Sequence, residues 1–411
     1  MNQQIRNYFA LFVLAIVMAA CALPPEAGGM QPSSSDQVAA QVTSTLQILT
    51  PVASEVTSAL PSELLPYTFY YLGLDGGGSM QVFRIERDGV TQHQLTFEPV
   101  NVLDYDVSLV DGNVAYVAKN QLLLVNADGS GRNMLVDGGP IDGPYFRPVF
   151  SPDGQMLAYA LKGLNLYTVS TGVSNLVIED QLEDAGNGLV LPHETYWPEK
   201  YSPDGTKLLI TLGYLEGGSM AIYDPGANAL VRLMGDEDAL ICYTVCNGSE
   251  IEWSADSSGF YSANSQNDYS SRTGGLWKVD AVNGAVKTLI PFSPGDGTIN
   301  FPDEPYLAPD GQLYYFFLNY AEPSGPPQRP PQQLVRSAPD GVTGRTVLRA
   351  DTFELMNEAL WAPDASFVIV AYGPTQDVYD GGQAEIVYLD SRPNVVLASF
   401  AQQMKWGHRK P

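Results

Sequence analysis

Phe150-Ser-Pro-Asp-Gly154 and Tyr201-Ser-Pro-Asp-Gly205 are two copies of one phrase, in which an apolar residue precedes a polar tight turn. Three further copies are Trp253-Ser-Ala-Asp-Ser257, Leu307-Ala-Pro-Asp-Gly311 and Trp361-Ala-Pro-Asp-Ala365. Consecutive copies start 51 to 54 residues apart, and each copy is followed by an apolar run. A period near 50 residues predicts an array of repeated supersecondary units.

The turn phrase suits a reversal between antiparallel strands. Pro fixes φ at the second turn position, and Gly accepts the left-handed conformation that a bulged exit requires. The following runs, such as Lys207-Leu-Leu-Ile-Thr-Leu212, are apolar on both faces of a strand, which predicts burial of both faces. A third strand and a shorter fourth strand complete each period. Four strands per period predict an all-β fold, the β-propeller.

Both ends of the repeat region contribute to one further unit. The N-terminal stretch from Tyr67 to Phe97 has the last three strands of a blade without the first, and Gln403-Met-Lys-Trp406 has a first strand without the others. Pairing of these termini gives a seven-bladed propeller without exposed edge strands. The alternative is an open array of six units.

The phrase resembles the TolB type of propeller repeat, whose WD-repeat-like units occur in bacterial periplasmic proteins and in relatives of prolyl oligopeptidase. The resemblance covers Tyr67 to Trp406, and the turn Gly is absent at Ser257 and Ala365. It implies a rigid propeller in an extracytoplasmic compartment. In repeats of this type an acid at the start of the innermost strand is common.

The N-terminal residues predict export. Residues 1–21 combine one early charge, an apolar stretch and Cys21, and Met18-Ala-Ala-Cys21 resembles the lipobox of bacterial lipoproteins. Lipidation of Cys21 anchors the chain to a membrane; the alternative is an ordinary secretory signal cut near Ala20. Residues 22–62, rich in Ala, Ser, Pro, Gln and Thr, are expected to form a disordered tether, and residues 63–411 the propeller.

Two cysteines remain if Cys21 carries lipid. Cys242 and Cys246 lie in one short loop, and an oxidising compartment favours a disulfide between them. The alternative is a metal pair, for which no third or fourth ligand lies nearby in the sequence.

The formal net charge of −25 argues against nucleic acid as a partner. The loops between second and third strands, and the links between blades, are long and rich in Asp and Glu, and in a propeller they share one side. Loops on a rigid scaffold often carry function. We therefore expect an acidic binding face for a protein, peptide or glycan; the alternative is that these loops are variable decoration.

A second set of candidates lies three residues before each motif, where the innermost strand begins near the mouth of the channel. The set comprises Asp106, Arg147, Glu250, Glu304, Glu358 and Gln403. Carboxylates around one opening could hold a hard cation such as Ca²⁺, although no cofactor is required by any motif. The alternative is structural, with each carboxylate accepting backbone N–H bonds from the next blade.

No catalytic signature stands out, so we predict no catalytic residue. The sequence favours a binding or scaffolding module over an enzyme. Two alternatives stay open: a propeller hydrolase or lyase that uses the channel carboxylates, and an envelope-complex component similar to TolB.

Overall fold

The computed structural model describes residues 63–139, 146–186, 188–215, 217–233, 251–264, 275–321, 329 and 331–408. All of them fall within one compact unit, Ala59–Pro411. Across these ranges the regular structure is β-strand, in 28 strands that pair in antiparallel order. None of the described segments is a helix long and apolar enough to cross a membrane. The predicted all-β class is confirmed. The predicted signal peptide (1–21) and tether (22–62) lie outside the described residues.

Consecutive strands group into units in which each strand pairs with the next. Unit 1 contains β4 (Asp104–Val107), β5 (Val114–Ala118), β6 (Gln121–Val125) and β7 (Asn133–Asp137). Unit 2 contains β8 (Val149–Phe150), β9 (Met156–Ala160), β10 (Gly163–Thr168) and β11 (Val173–Glu179). Unit 3 contains β13 (Val190–Tyr201), β14 (Leu208–Gly213), β15 (Gly218–Asp224) and β16 (Ala229–Arg232), with the extra strand β12 (Gln181–Asp184) before it.

The second half of the chain repeats this arrangement. Unit 4 contains β17 (Ile251–Trp253), β18 (Gly259–Asn264), β19 (Gly275–Asp280) and β20 (Val286–Pro291). Unit 5 contains β21 (Thr298–Leu307), β22 (Leu313–Ala321), β23 (Gln332–Ser337) and β24 (Thr346–Phe353). Unit 6 contains β25 (Met356–Trp361), β26 (Phe367–Tyr372), β27 (Gly382–Tyr388) and β28 (Val395–Trp406).

The closing unit joins the two ends of the described chain. It contains β1 (Phe69–Leu74), β2 (Met80–Ile85), β3 (Gln92–Gln94) and the last residues of β28. The first half of β28 pairs with β27, and its second half pairs with β1 at Phe69↔Trp406 and Tyr70↔Lys405. The two ends therefore pair as expected from the incomplete repeats. The number of blades stays a prediction, which this grouping of the described strands favours.

Buried apolar side chains fill the spaces between neighbouring units. Among the described residues they form seven clusters, and each cluster takes its members from two adjacent units. One cluster joins Tyr70 of the closing unit to Tyr105 and Tyr116 of unit 1, and another joins Phe69 to Ile369 of unit 6. The sheets are thus buried on both faces, as their apolar runs predict. The hydrophobic core therefore consists of separate clusters at the boundaries between neighbouring units.

The repeated turns have the geometry that their sequence predicts. In Ser151-Pro-Asp-Gly154, Asp153 accepts hydrogen bonds from the Ser151 hydroxyl (2.6 Å) and the Gln155 backbone N–H (3.0 Å), and Gly154 has a φ of +68°. Ser257 and Ala365, which replace the turn Gly, adopt the same left-handed conformation at +58° and +55°. The turn is therefore kept at these two sites at a cost of roughly 1 kcal/mol in backbone strain.

Candidate functional site at the channel mouth

The first strand of each unit faces the centre of the ring. Neighbouring first strands contact one another from β28 to β4, from β4 to β8, and from β21 through β25 back to β28. Several predicted site residues lie at irregularities of these strands: Arg147, Glu304 and Gln403 have φ values of +43°, +47° and +52°. The register of β25 on β26 also shifts just before Glu358. Such bulges re-aim side chains away from the regular sheet, here across the unit boundary.

Three of the predicted carboxylates bond to the backbone of the next unit. Asp106 Oδ2 accepts from the Phe150 N–H at 2.6 Å, and Glu304 Oε1 accepts from the Ala359 N–H at 3.1 Å. Glu358 Oε1 accepts from the Met404 N–H. The same geometry thus recurs at three unit boundaries. These bonds are the ones that the structural alternative expects.

Arg147 is held by a residue that the motif spacing did not single out. Its guanidinium pairs with Glu199 and lies over the Trp197 ring, with its central carbon 5.3 Å from the ring centroid. Glu199 Oε1 also accepts from the Thr211 hydroxyl at 2.5 Å. The residue three positions before the Tyr201 motif is Pro198, so the spacing does not select Glu199. A register shift in β13 between Pro198 and Lys200 accounts for this difference of one residue and brings Glu199 into contact with Arg147.

Lys405 is the second cation of the channel mouth. Its Nζ lies 3.0 Å from Asp106 Oδ1 and 5.6 Å from the centroid of the Tyr105 ring. Gln403, two residues earlier, donates from its side-chain Nε2 to the Leu103 carbonyl at 3.2 Å. The backbone carbonyl of Gln403 accepts from the Tyr105 hydroxyl at 2.7 Å. Three side chains therefore connect the end of the chain to unit 1.

A further ion pair lies between units 3 and 4. Lys200 Nζ contacts Glu252 Oε2 at 2.7 Å and the Ile251 carbonyl at 3.1 Å. With the pairs at Arg147 and Lys405, cations and carboxylates alternate between several adjacent first strands. Ion pairs of this kind connect neighbouring units across their boundaries.

Enclosure by the ring changes the acid–base properties of the central carboxyls. Burial raises the pKa of Glu358 to about 7, although backbone N–H bonds from Met404 and Gln403 and the charge of Lys405 oppose the shift. Burial also raises the pKa of Asp104 against the opposing charges of Lys405 and Arg147. Burial lowers the pKa of Lys405, but the charges of Asp106 and Asp104 outweigh it, so the net shift is upward.

The remaining predicted site residues lie elsewhere. Cys21, Cys242, Cys246 and Glu250 are outside the described residues. Within the part of the chain that the structure describes, no three His, Cys, Asp or Glu side chains are grouped so that they could hold a metal ion. Asp106, Glu304 and Glu358 act at separate unit boundaries, so their described geometry gives Ca²⁺ no common set of ligands.

Replacement of Glu358 by Gln is expected to change how stability depends on pH. Because the folded pKa is about 7 and the ordinary value is 4.5, the folded state holds this proton over a range where the unfolded chain loses it. The stabilising contribution of the proton is present below about pH 4.5 and is lost as pH rises through 7. E358Q removes this loss. As pH rises from 5 to 8, the free energy of unfolding of E358Q should therefore increase relative to that of the native protein by on the order of 1–3 kcal/mol.

Urea unfolding followed by far-UV circular dichroism at these two pH values measures the difference. Glu354→Gln is a matched control, because Glu354 is an exposed carboxylate in the link just before β25, four residues from Glu358. E354Q should follow the native profile. A constant offset between E358Q and the native protein at both pH values contradicts the assignment.

No protein-family model matches the sequence, and no curated protein matches it. Among solved structures, an oligogalacturonate lyase in complex with manganese superposes with a TM-score of 0.51 at 11% identity, over 80% of this chain and 84% of the lyase. TolB from Acinetobacter baumannii superposes with a TM-score of 0.42 at 15% identity, over 86% of this chain and 89% of that protein.

The fold is a β-propeller. The propeller architecture that the turn phrase predicts is therefore confirmed. The putative TolB from Agrobacterium tumefaciens is a further match, with a TM-score of 0.40 at 15% identity over 75% of this chain and 98% of that one. At these identities the likeness extends to the fold and not to a ligand or a reaction.

Proposed function

We propose that the protein is an exported, membrane-tethered propeller that binds a partner through the acidic face formed by its long loops. The observation that carries the proposal is the exposure of carboxylates on that side. The exposed acids there are Glu179, Glu183, Asp184, Asp296, Asp377 and Asp380. The rigid ring beneath them makes this face a fixed platform, so binding loses little conformational entropy on the side of this protein.

Arg329, a cationic side chain within the long loops of this face, is already engaged. Arg329 donates to the backbone carbonyls of Val378 and Met356, both at 2.7 Å, and its central guanidinium carbon lies 5.2 Å from the centroid of the Tyr379 ring. It therefore fixes a loop and does not neutralise the exposed acids. The partner chemistry that fits the face is accordingly positive, on a protein or peptide.

Binding is tested with two variants of equal charge change. The long-loop variant replaces Asp296, Asp377 and Asp380 by Asn, and the control replaces Asp111, Asp310 and Asp364 of the short turns by Asn. Asn keeps the turn hydrogen bonds that Asp111 and Asp310 make to Asn113 and Gln312. Saturable binding of the purified protein to cell envelopes of its host should weaken about tenfold in the long-loop variant only. Equal weakening in both variants contradicts the proposal.

Tethering has its own test. Lipidation of Cys21, supported by its lipobox-like context, predicts that the native protein takes up a palmitate analogue and sediments with membranes. Cys21→Ser should lose the label and move to the soluble extracytoplasmic fraction. Retention of C21S on membranes without label contradicts the lipid anchor and leaves the binding test unaffected.

One observation favours an enzyme as the second candidate. Glu358, whose pKa is raised to about 7, lies near the charge of Lys405 inside the channel mouth, and carboxyls of this kind serve as general acids or bases. A hydrolase or lyase of this type should act on peptide or polysaccharide substrates and lose activity in E358Q. A role as an envelope-complex component similar to TolB is a third candidate, supported by the fold.

A further inference from the structure

A projecting hairpin stands outside the four-stranded units. It consists of β12 and residues 190–194 of β13, with pairs Leu182↔Pro192, Glu183↔Leu191 and Asp184↔Val190. From Thr195 onward β13 pairs with β14 and belongs to unit 3. Because the hairpin forms the link between units 2 and 3, it lies on the long-loop side. No other described strand pairs with the outer edge of β12.

The base of this hairpin is firmly held. Glu194, at its root, is 6% exposed and accepts two bonds from the Arg232 guanidinium at 2.8 and 2.7 Å. The Tyr196 hydroxyl donates to Glu194 at 2.5 Å and accepts from Gln181 Nε2 at 3.0 Å. The hairpin is therefore fixed in direction where it leaves the ring.

The outer part of the hairpin is exposed and apolar on one face. Leu182 is 58% exposed and Val190 is 54% exposed. The pairing of Leu182 with Pro192 and of Asp184 with Val190 places these side chains on the same face. A two-stranded ribbon with such a face is marginal in water unless a further strand or surface covers it.

The edge of β12 also presents backbone groups outward. The Ala185 N–H donates to the Leu189 carbonyl at 2.9 Å, which makes this a hydrogen-bonded pair. Because such pairs alternate in an antiparallel ladder, Leu182 and Asp184 direct their N–H and C=O groups away from β13. Pro192 lacks an N–H and lies opposite Leu182, where the ladder needs no donor. An open edge of this kind can template another strand.

Charge determines which strand can be added. Glu179, Asp180, Glu183 and Asp184 lie within six residues of one another along β11 and β12. A second copy of this chain, with its net charge of −25, would bring the same acids into contact with them. An extended segment with alternating apolar and basic residues complements both the exposed leucine and the acids.

We propose that the open edge of β12 takes up an extended basic segment of a partner protein as an added strand. The proposal deepens the binding function assigned to the long-loop face and rests on it. Apolar residues of the segment cover Leu182 and Val190 on one face, and its alternating Lys or Arg side chains pair with Glu183 on the other face. The backbone groups of Leu182 and Asp184 supply the ladder bonds.

Synthetic peptides test the proposal on the full-length protein. The probe is a labelled peptide of about eight residues that alternates Val and Lys, a length typical of a strand. Two comparison peptides alternate Val and Glu, or carry N-methyl groups on alternate residues of the Val–Lys sequence. Fluorescence anisotropy should show saturable binding of the Val–Lys peptide and at least about tenfold weaker binding of both others. Equal binding of the N-methylated peptide overturns strand addition, because it keeps the charge and loses the backbone donors.

Matched variants locate the site. Leu182→Lys should weaken binding of the Val–Lys peptide about tenfold. Leu176→Lys, at an exposed leucine of the edge strand β11, should leave it unchanged. Equal effects of both variants, or self-association of the native protein in sedimentation experiments, overturn the proposal. If no peptide binds but the envelope test still separates the two Asp→Asn variants, the proposed function stands and the assignment of β12 fails.

Discussion

A chain that ends at Gln402 is expected to lose its cooperative unfolding transition or to unfold at much lower urea concentration. The truncation removes the partner of β1 at Phe69 and Tyr70, and it leaves the aromatic cluster around Phe69 and Tyr71 at an open edge. Burial of one large apolar side chain contributes about 1.5–3 kcal/mol, so losing Met404 and Trp406 together with their neighbours costs more than about 5 kcal/mol. That loss is comparable with the whole stability of an ordinary domain.

The same truncation removes polar contacts on three sides. Lys405 no longer pairs with Asp106, the Met404 N–H no longer reaches Glu358, and the Trp406 indole no longer donates to the Trp361 carbonyl, a bond of 2.7 Å. Glu358 also loses the backbone N–H that it accepts from, so the boundary between unit 6 and the closing unit loses a hydrogen bond as well.

Urea unfolding followed by far-UV circular dichroism measures the effect. A chain that ends at His408 is the length control and should unfold like the native protein. A synthetic peptide covering Gln403 to His408, added in excess to the truncated chain, should restore part of the lost stability by occupying the vacant strand position. An unchanged midpoint after truncation at Gln402 contradicts closure of the ring through β28.

The second large effect is expected at Trp361, which lies where units 5 and 6 meet. Trp361 is 7% exposed and is stacked on Tyr306 with ring centroids 5.8 Å apart. Its indole N–H donates to the Glu304 carbonyl at 2.9 Å. Replacement by Ala removes the ring contacts and leaves a cavity, at an expected cost of about 3–5 kcal/mol in the free energy of unfolding.

Trp253 provides a matched comparison for the hydrogen bond alone. It occupies the equivalent place in its copy of the phrase and is 3% exposed, but its indole N–H has no acceptor among the described residues. Trp361→Phe breaks a bond that Trp253→Phe does not, so W361F should be the more destabilising by about 1–2 kcal/mol. The difference is measured by urea unfolding of both variants. Equal costs, or a larger cost for W253F, contradict the proposed role of the indole N–H.

The repeated phrase predicted those features that local chemistry controls. Pro, Asp and Gly specify the turn, and the doubly apolar runs specify strands that are buried on both faces. The incomplete repeats at the two ends also predicted that the strand ending at Trp406 pairs beside the first N-terminal strand, and the structure has this pairing at Phe69. In each case one residue type has few conformations or environments available to it, so its position in the sequence carries structural information.

The residues of the channel mouth were predicted less completely. The candidates were selected at a fixed distance of three residues before each motif, and this selection fails where a strand contains a bulge. In β13 the register shift between Pro198 and Lys200 moves Glu199 into contact with Arg147, and no spacing rule selects it. Nothing in the sequence distinguishes Lys405 from the other residues of its strand, because a single Lys in a strand has no characteristic pattern. The pairing of Lys405 with Asp106 depends on the contact between β28 and β4, which is set by the closed ring.

The projecting hairpin illustrates a different difficulty. Gln181–Asp184 is acidic and almost without apolar residues, so neither strand periodicity nor β-propensity marks it. Its pairing partner, residues 190–194, is the beginning of a strand whose remainder is in unit 3. The ribbon exists because β13 extends beyond the unit, and strand length is set by tertiary context more than by composition.

Closure by the last strand also constrains the order in which the molecule can be made. Asp106 leaves the ribosome 299 residues before Lys405, with which it pairs. At about 5–20 residues per second, the early strands wait roughly 15–60 s for that partner. Until then Phe69, Tyr70 and Tyr71 form a strand with one edge unoccupied, a state in which apolar segments are prone to aggregate. Chains that still lack the last strand are therefore expected to aggregate more readily than complete chains.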